Sequence, residues 1–197
     1  MLRTLVVAFA LVVMLASCVG RDFSRPEPES LRLGQTTRSQ IIERYGDPVY
    51  DSTSTAGGIT ITALTYSYAS AAGKPHRHYL DGSVAARAVF FQFSGDLLVG
   101  YNYSSSWAED HTDFDESKRS HFVKGSTTST QVIQLLGKPG GTCIYPIIDE
   151  RNGTGFTYRY FESSGSGHLH KTYRKFLLIA FDQRGVVSDV KYDLSRK

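Results

Sequence analysis

The sequence lacks the features that most directly define a function class. Its 197 residues include only two cysteines and one tryptophan, and no apolar run reaches the roughly 20 residues that a transmembrane helix needs. The 22 basic and 19 acidic residues are scattered and leave a net charge of +3. Binding to a phosphate backbone needs clustered Lys and Arg, so we expect no nucleic-acid partner. The low cysteine count also excludes a disulfide framework.

The first eighteen residues form the clearest pattern in the chain. Arg3 precedes an apolar stretch, Leu5 to Ala16, whose length is typical of the centre of a secretory signal peptide. The stretch ends in Leu15-Ala16-Ser17-Cys18, which resembles the lipobox at which bacterial lipoprotein signal peptidase cuts before a lipid-modified cysteine. We predict a signal peptide over residues 1–17, cleavage between Ser17 and Cys18, and lipid attachment to Cys18. An ordinary signal peptide or a buried N-terminal helix is the alternative.

A lipid on Cys18 would hold the protein at a membrane, because each buried methylene contributes about 0.8 kcal/mol. Val19 is not the Asp that favours inner-membrane retention in enterobacterial lipoproteins, so we expect an outer-membrane location with the protein facing the periplasm. Residues 18–30 are polar and contain two prolines, which predicts an extended tether. The remaining thiol, Cys143, lies among residues typical of a strand. It is predicted to be a small buried hydrophobic residue rather than a nucleophile.

An internal repeat organises the rest of the chain. The segment Gly34 to Pro48 aligns without a gap on Gly125 to Pro139, at an offset of 91 residues. In each copy a threonine, Thr37 or Thr128, precedes a glutamine by three positions, which is the spacing of a helix capping box. A glycine then ends the predicted helix. Each copy therefore predicts a short capped helix with one apolar face.

Runs of β-branched and aromatic residues follow both helices and predict strands. The predicted strands are 59–68, 87–93 and 97–103 in the first copy and 156–161, 175–181 and 186–192 in the second, with an optional extra strand at 142–148. We predict an α+β fold of two tandem units, residues 31–108 and 117–197, joined by a linker at 109–116. Each unit is expected to pack short helices on its own antiparallel sheet of three or four strands.

The repeated pattern resembles a known family. It consists of Leu31-x-x-Gly34-x-Thr36, a short helix that ends in Gly-x-Pro, and strands that close with Phe181-x-x-x-Gly185-x-Val187. This is similar to the BamE/SmpA/OmlA domain of small outer-membrane lipoproteins, and the tandem arrangement is similar to that of β-lactamase inhibitory protein. The resemblance implies an ααβββ fold, with first helices at 27–33 and 115–124.

The resemblance also implies a function. It points to a scaffold or stabiliser without catalytic activity that binds an envelope protein complex, such as the machinery that assembles outer-membrane barrels. An inhibitor of a periplasmic or extracellular enzyme is the alternative. No nucleophile or cofactor motif appears in the sequence, so we expect no enzyme and no cofactor.

Tyrosine pairs and one tryptophan are candidates for partner contacts. Residues at i and i+2 share one face of a strand. The pairs are Tyr66 with Tyr68, Tyr101 with Tyr103, and Tyr158 with Tyr160. Tyrosine offers a large contact area at little entropic cost, so Tyr66, Tyr68, Tyr158 and Tyr160 are candidate partner-binding residues. The alternative is that the pairs face the core. Trp107 lies among serines and is a candidate exposed anchor.

Histidine pairs suggest a third hypothesis, a metal or small-ligand carrier. His76 with His78, and His168 with His170, place two imidazoles at i and i+2 before equivalent strands. No Asp, Glu or Cys stands beside them at ligand spacing, and solvated loop residues are the alternative. The acidic residues near His111 lack the glycine of an EF-hand loop, so we interpret residues 109–116 as a solvated linker.

Overall fold

The computed structural model describes residues 21–165 and 167–197, so the predicted signal peptide and its cleavage site at Ser17 and Cys18 lie outside the described residues. The two α-helices of the described part are α1 (Arg38–Tyr45) and α2 (Ser129–Leu136). The strands are β1 (Tyr50–Ala56), β2 (Ile59–Ser70), β3 (Ala85–Ser94), β4 (Leu97–Ser105), β5 (Gly141–Cys143), β6 (Thr154–Ser164), β7 (Lys171–Phe181) and β8 (Val187–Arg196). No helix in these ranges is long and apolar enough to cross a bilayer.

The prediction of two separate units, each with helices on its own sheet, is wrong. All eight strands form one antiparallel sheet in sequence order, β1 to β8, which curls into a half-barrel. The first half (α1 and β1–β4) joins the second (α2 and β5–β8) where Gly100 of β4 pairs with Cys143 of β5. Backbone hydrogen bonds from Ile144 to Val99 (2.8 Å) and from Tyr103 to Gly140 (2.9 Å) extend the joint.

Glycines make this close joint sterically feasible. Cys143 lies between Gly100 on β4 and Gly155 on β6, its register partners on either side. A Cβ at Gly100 would lie 2.9 Å from the Cβ of Cys143, and a Cβ at Gly155 would lie 2.7 Å from its Sγ. Cys143 is fully buried, as predicted, and burial raises the pKa of its thiol to about 12.

The two helices form as predicted because their capping signals are local. The Thr37 and Thr128 side chains each accept a hydrogen bond from the backbone of the glutamine three residues later, and the glutamine side chain returns the bond. The repeat also extends to tertiary contacts. Tyr66 donates its hydroxyl proton to the carbonyl of the glycine that ends α1 (2.9 Å), and Tyr158 does the same for α2 (3.0 Å). The predicted first helices, 27–33 and 115–124, are only 3-10 turns at Pro28–Ser30 and Glu116–His121.

The strand register separates the two faces of the sheet. In the first half Leu64, Tyr66 and Phe91 pack under α1, and in the second half Tyr158 and Leu177 pack under α2. Residues paired across antiparallel strands point to the same side, so both helices lie on one face of the continuous sheet. The opposite face carries no helix. One end of it is covered by residues 144–153, whose Ile148 packs on Cys143 and Leu178.

Within the predicted extended tether, residues 21–27 are docked on the protein. Phe23 packs its ring edge against Tyr103, and its carbonyl accepts a hydrogen bond from Arg87 (3.0 Å). Arg25 reaches into the second half and donates to the carbonyl of Pro139 (2.6 Å). Residues 21–27 therefore run between the two halves on the helix-bearing face.

Candidate protein-binding face

The face without helices carries an aromatic and cationic cluster at its centre. Four side chains point to this side: Phe90 of β3, Arg159 and Phe161 of β6, and Phe176 of β7. Arg159 pairs with Phe176, whereas the alternate residues Tyr158 and Tyr160 point to the helices. We call these four residues the Arg159 cluster. All four are only partly buried, so they are accessible from solvent on this side.

Arg159 lies between aromatic rings from both halves. Its guanidinium carbon is 4.1 Å from the ring centroid of Phe90 and 5.8 Å from that of Phe176. Such cation–π contacts hold the side chain in place and contribute about 0.5–2 kcal/mol each. Among the described residues no carboxylate comes within ion-pair distance of this guanidinium, and the nearby Asp193 pairs instead with Arg174 (2.7 Å). Arg159 is therefore a positioned cation without an ionic partner.

The electrostatic setting of Arg159 is unfavourable for its charge. Burial and, to a lesser extent, the neighbouring charge of Arg174 lower the pKa of Arg159 to about 10 against the opposing effect of Asp193. A desolvated charge without a partner weakens the folded state, so a carboxylate supplied from outside would restore a favourable interaction.

A depression next to the Arg159 cluster completes the face. It encloses about 230 Å³, and Phe161 forms one wall. Most of the other residues that line it are small, and the larger ones are Tyr68, Val84 and Arg87. The small ones are Ser67, Ala69, Ala86, Ala88, Ser104 and Ser163. Small-molecule sites enclose about 300–1,000 Å³, so this depression is smaller than a typical small-molecule site. We call it the apolar socket.

Three of the predicted partner-binding tyrosines are core residues, so the alternative interpretation holds for them. Tyr66 and Tyr158 are buried and bond the helix ends, and Tyr160 is fully buried and donates to Glu162 Oε1 (2.6 Å). Tyr68 is partly exposed, and its ring stacks on Trp107 at 6.1 Å between centroids. Strand parity explains the outcome, because the side of each strand that packs on the helices takes the tyrosines.

Trp107 is partly exposed but is held on several sides. Arg87 lies over its ring at 4.5 Å, and a Cβ at Gly73 would come within 2.8 Å of the indole, so only glycine fits against it there. The backbones of His76 and Ala108 tie this loop to its neighbours through bonds to Ser106 (2.7 Å) and Lys74 (2.8 Å). Trp107 therefore marks a fixed corner of the molecule.

The histidine pairs do not converge on a metal site. His76 stacks on His111 at 3.4 Å between ring centroids, whereas His78 bonds Ser83 through Nδ1 (3.1 Å). His168 and His170 are exposed, and His170 bonds Ser163 (2.9 Å). In the described ranges no group of three or more His, Cys, Asp or Glu side chains is arranged to hold a metal ion.

The interpretation of residues 109–116 as solvated is wrong. The side chain of Asp113 is only 6% exposed and pairs with the buried Lys175 (2.6 Å). Thr112 bonds the backbones of both halves, accepting from Ser105 at its side chain (3.0 Å) and donating to the carbonyl of Arg159 (2.5 Å). The linker therefore closes the gap between β4 and β6 beyond the end of the short β5.

Sequence reasoning misses Arg159 although a signal for it exists. It lies between Tyr158 and Tyr160, so assigning both tyrosines to the core places Arg159 on the opposite side of the strand. Its aromatic neighbour Phe90 comes from the other half of the chain. That contact depends on the joint between β4 and β5, and no local pattern encodes it.

Comparison with known proteins gives a distant likeness. No protein-family model matches the chain, and no curated protein matches it. Among solved structures, a "putative beta-lactamase inhibitor protein" from Streptococcus mutans is similar over 84% of this chain and 91% of that chain, with 13% sequence identity and a TM-score of 0.40.

Proposed function

We propose that this protein is an outer-membrane lipoprotein, anchored through Cys18 and facing the periplasm, that binds a protein partner without catalysis. The partner presents an acidic side chain to Arg159 and an adjacent apolar side chain to the socket. As a scaffold or stabiliser in the envelope, the protein would hold this partner beside the membrane. The observation that carries the proposal is the unpaired, ring-held Arg159 on the face that no helix covers.

The composition of this face supports a protein rather than a small molecule. Binding energy at protein interfaces concentrates in a few aromatic and Arg residues within well-packed surroundings, each worth about 2 kcal/mol or more on truncation. The Arg159 cluster has this composition, and it is preorganised because both strands that carry Phe90 and Arg159 belong to one rigid sheet. Charge complementarity favours an acidic partner, because Arg159, the one cation of the Arg159 cluster, has no ion pair within the described residues.

Site-specific photocrosslinking in cells tests the proposal. A photoreactive phenylalanine analogue replaces Phe161 on the proposed face or, as the control, Ile133, which is exposed on α2 and lies on the other side of the sheet. We expect a discrete adduct from position 161 and none of the same mass from position 133. Equal adducts from both positions would contradict binding through this face.

Charge reversal then tests the role of Arg159. Arg159→Glu should reduce the adduct about tenfold or more, as loss of a central interface residue does. The matched control Lys138→Glu makes the same charge change at an exposed position near the end of α2 and should leave the adduct intact. Mass spectrometry of the adduct identifies the partner. An envelope subunit supports the scaffold role, and a single hydrolase whose activity falls on binding supports inhibition instead.

A further inference from the structure

The docked N-terminal segment fixes the direction in which the chain leaves the protein. Gly34 bonds the carbonyl of Leu98 at the start of β4 (2.7 Å), whereas Phe23 contacts Tyr103 and Arg87 near the opposite end of that strand. The segment therefore runs along the sheet. Its beginning, with Asp22 at 3.4 Å from Arg87, lies at the end of the molecule where β4 finishes.

Little chain remains between this point and the proposed lipid. Arg21 is three residues after Cys18, and three residues span at most about 11 Å. A lipidated Cys18 therefore cannot let the protein stand far from the bilayer. An anchored protein with a free tether would sample many orientations, but this one would be held by the end at which residues 21–23 are docked.

Trp107 lies at that same end. Arg87 contacts both Asp22 and the Trp107 ring, so one guanidinium separates the start of the docked segment from the indole. Beside Trp107, Ala72 and Ala108 are exposed and uncharged, and Lys74 is an exposed cation with a long aliphatic stem. The exposed Glu109 borders the same depression as these residues and lies 4.0 Å from Arg87. Tryptophan and snorkelling lysine are the residue types favoured at a membrane interface.

We infer that the corner formed by Ala72, Lys74, Trp107 and Ala108 lies against the lipid surface when Cys18 is lipidated. The docked segment 21–27 thus sets the orientation of the protein on the membrane. This inference rests on the lipid anchor of the proposed function. It adds a lipid-contacting surface and a fixed orientation to the anchor.

The single tryptophan allows a direct test in the mature lipidated protein. The protein is reconstituted in phosphatidylcholine vesicles that contain dansyl-labelled phosphatidylethanolamine, and energy transfer from tryptophan to dansyl is measured. The comparison protein carries Trp107→Phe with Leu97→Trp, which moves the reporter to an exposed position at the other end of β4. Because eight residues of strand span roughly 26 Å, we expect transfer efficiency to fall by about twofold or more in the comparison protein.

Release of the segment provides a second measurement. Phe23→Ala removes the ring that packs on Tyr103 and should lower transfer from Trp107, whereas Ser24→Ala at an exposed neighbour should not. Circular dichroism verifies that each variant remains folded. Equal transfer from positions 107 and 97 would overturn the fixed orientation.

Labelled palmitate separates this inference from the proposal beneath it. If palmitate is incorporated and Cys18→Ala abolishes the incorporation, but transfer is equal from both positions, only the orientation is wrong. If no palmitate is incorporated, the anchor of the proposed function fails and the inference fails with it.

Discussion

Two basic side chains, Arg87 and Lys175, occupy equivalent positions in the two halves, but their ion pairs differ in burial. Arg87 of β3 pairs in register with Tyr68, and Lys175 of β7 pairs with Tyr160. Each binds an Asp-Phe dipeptide that precedes its half: Arg87 contacts Asp22 and the Phe23 carbonyl, and Lys175 contacts Asp113 and the Phe114 carbonyl. The two dipeptides lie 91 residues apart, which is the offset of the repeat. The repeat therefore begins at Asp22, twelve residues before Gly34.

The two sites differ in burial. The Lys175 and Asp113 side chains are 1% and 6% exposed and lie 2.6 Å apart, with Glu116 at 2.8 Å from the same ammonium. The Arg87 and Asp22 side chains are 12% and 56% exposed and lie 3.4 Å apart. Burial alone lowers the pKa of Lys175, but its bonds to Asp113 and Glu116 outweigh this and hold its pKa above the ordinary value. The duplicated contact is thus part of the core in the second half and more open to solvent in the first.

The largest expected effect tests this difference directly. Lys175→Met removes the ammonium from the buried carboxylate of Asp113, which keeps only the longer ion pair with the exposed Arg77 (3.7 Å) and the hydroxyl of Tyr79 (3.1 Å). The loss should destabilise the protein by about 3 kcal/mol or more. Arg87→Met removes a more exposed contact and should cost about 1 kcal/mol. Urea unfolding followed by circular dichroism measures both values. Equal losses would show that the two sites are energetically alike, and Lys175→Met combined with Asp113→Asn should recover much of the larger loss.

The second prediction concerns two strands that hold equivalent places in the repeat. At the offset of 91, β5 corresponds to the start of β1, with Cys143 matching Ser52. β1 is an exposed edge strand, whereas β5 pairs on both sides and joins the halves. Cys143→Leu should overpack the space between Gly100 and Gly155 and cost about 1–3 kcal/mol.

Its matched control is Ser52→Leu, which places the same side chain on the edge and should change stability by less than about 0.5 kcal/mol. Thermal unfolding of both variants provides the measurement. A tolerated leucine at position 143 would mean that the joint between the halves is loose, and that the sheet is less continuous than its register indicates.

The sequence predicts the parts of the fold that depend on neighbours in the chain. The Thr37 and Thr128 capping signals place both helices correctly, because capping involves residues only three apart. β1 is missed because Tyr50–Ala56 is rich in Ser and Thr and lacks an apolar face, as an edge strand open to solvent allows.

The joint and the candidate binding face could not be predicted in the same way. A three-residue strand is too short to show periodicity. The pairing of β5 with β4 therefore depends on the long-range packing of Gly100 against Cys143. The Asp-Phe repeat is visible at the offset of 91, but the prolines and acidic residues around it favour a tether and a linker over docked segments. Arg159 depends on both facts, since its ring contacts cross the joint.

Equivalence of the helix ends is the third prediction. Tyr66 and Tyr158 each donate to the carbonyl of the glycine after a helix, and burial raises the pKa of both hydroxyls, that of Tyr66 to about 12. Tyr66→Phe and Tyr158→Phe each remove one hydrogen bond and should each cost about 0.5–1.5 kcal/mol. Urea unfolding gives the free energy for each variant, and losses that differ between the two by more than about 1 kcal/mol would show that the repeat does not extend to the energetics of the helix ends.

The smallest effect is a pH dependence that distinguishes the two histidine loops. Burial lowers the pKa of His111, and the positive charges of His76 and Arg77 add to this against the opposing effect of Asp113 and Asp110. The folded protein therefore binds a proton at His111 less readily than the unfolded chain. The stability from this group is present above the unfolded pKa of about 6.5 and is lost as the pH falls toward the lower folded value.

The measurement is the difference in unfolding temperature between pH 7.5 and pH 5. His111→Gln should reduce this difference, because the variant no longer binds the proton that favours unfolding. His168 lies in the corresponding loop of the second half, is exposed, and stacks on no other described ring. His168→Gln makes the same substitution at this exposed position and is the matched control. An equal change in both variants would contradict the prediction. It would mean that the stacking of His76 on His111 does not give the first histidine loop a pH response different from that of the second loop.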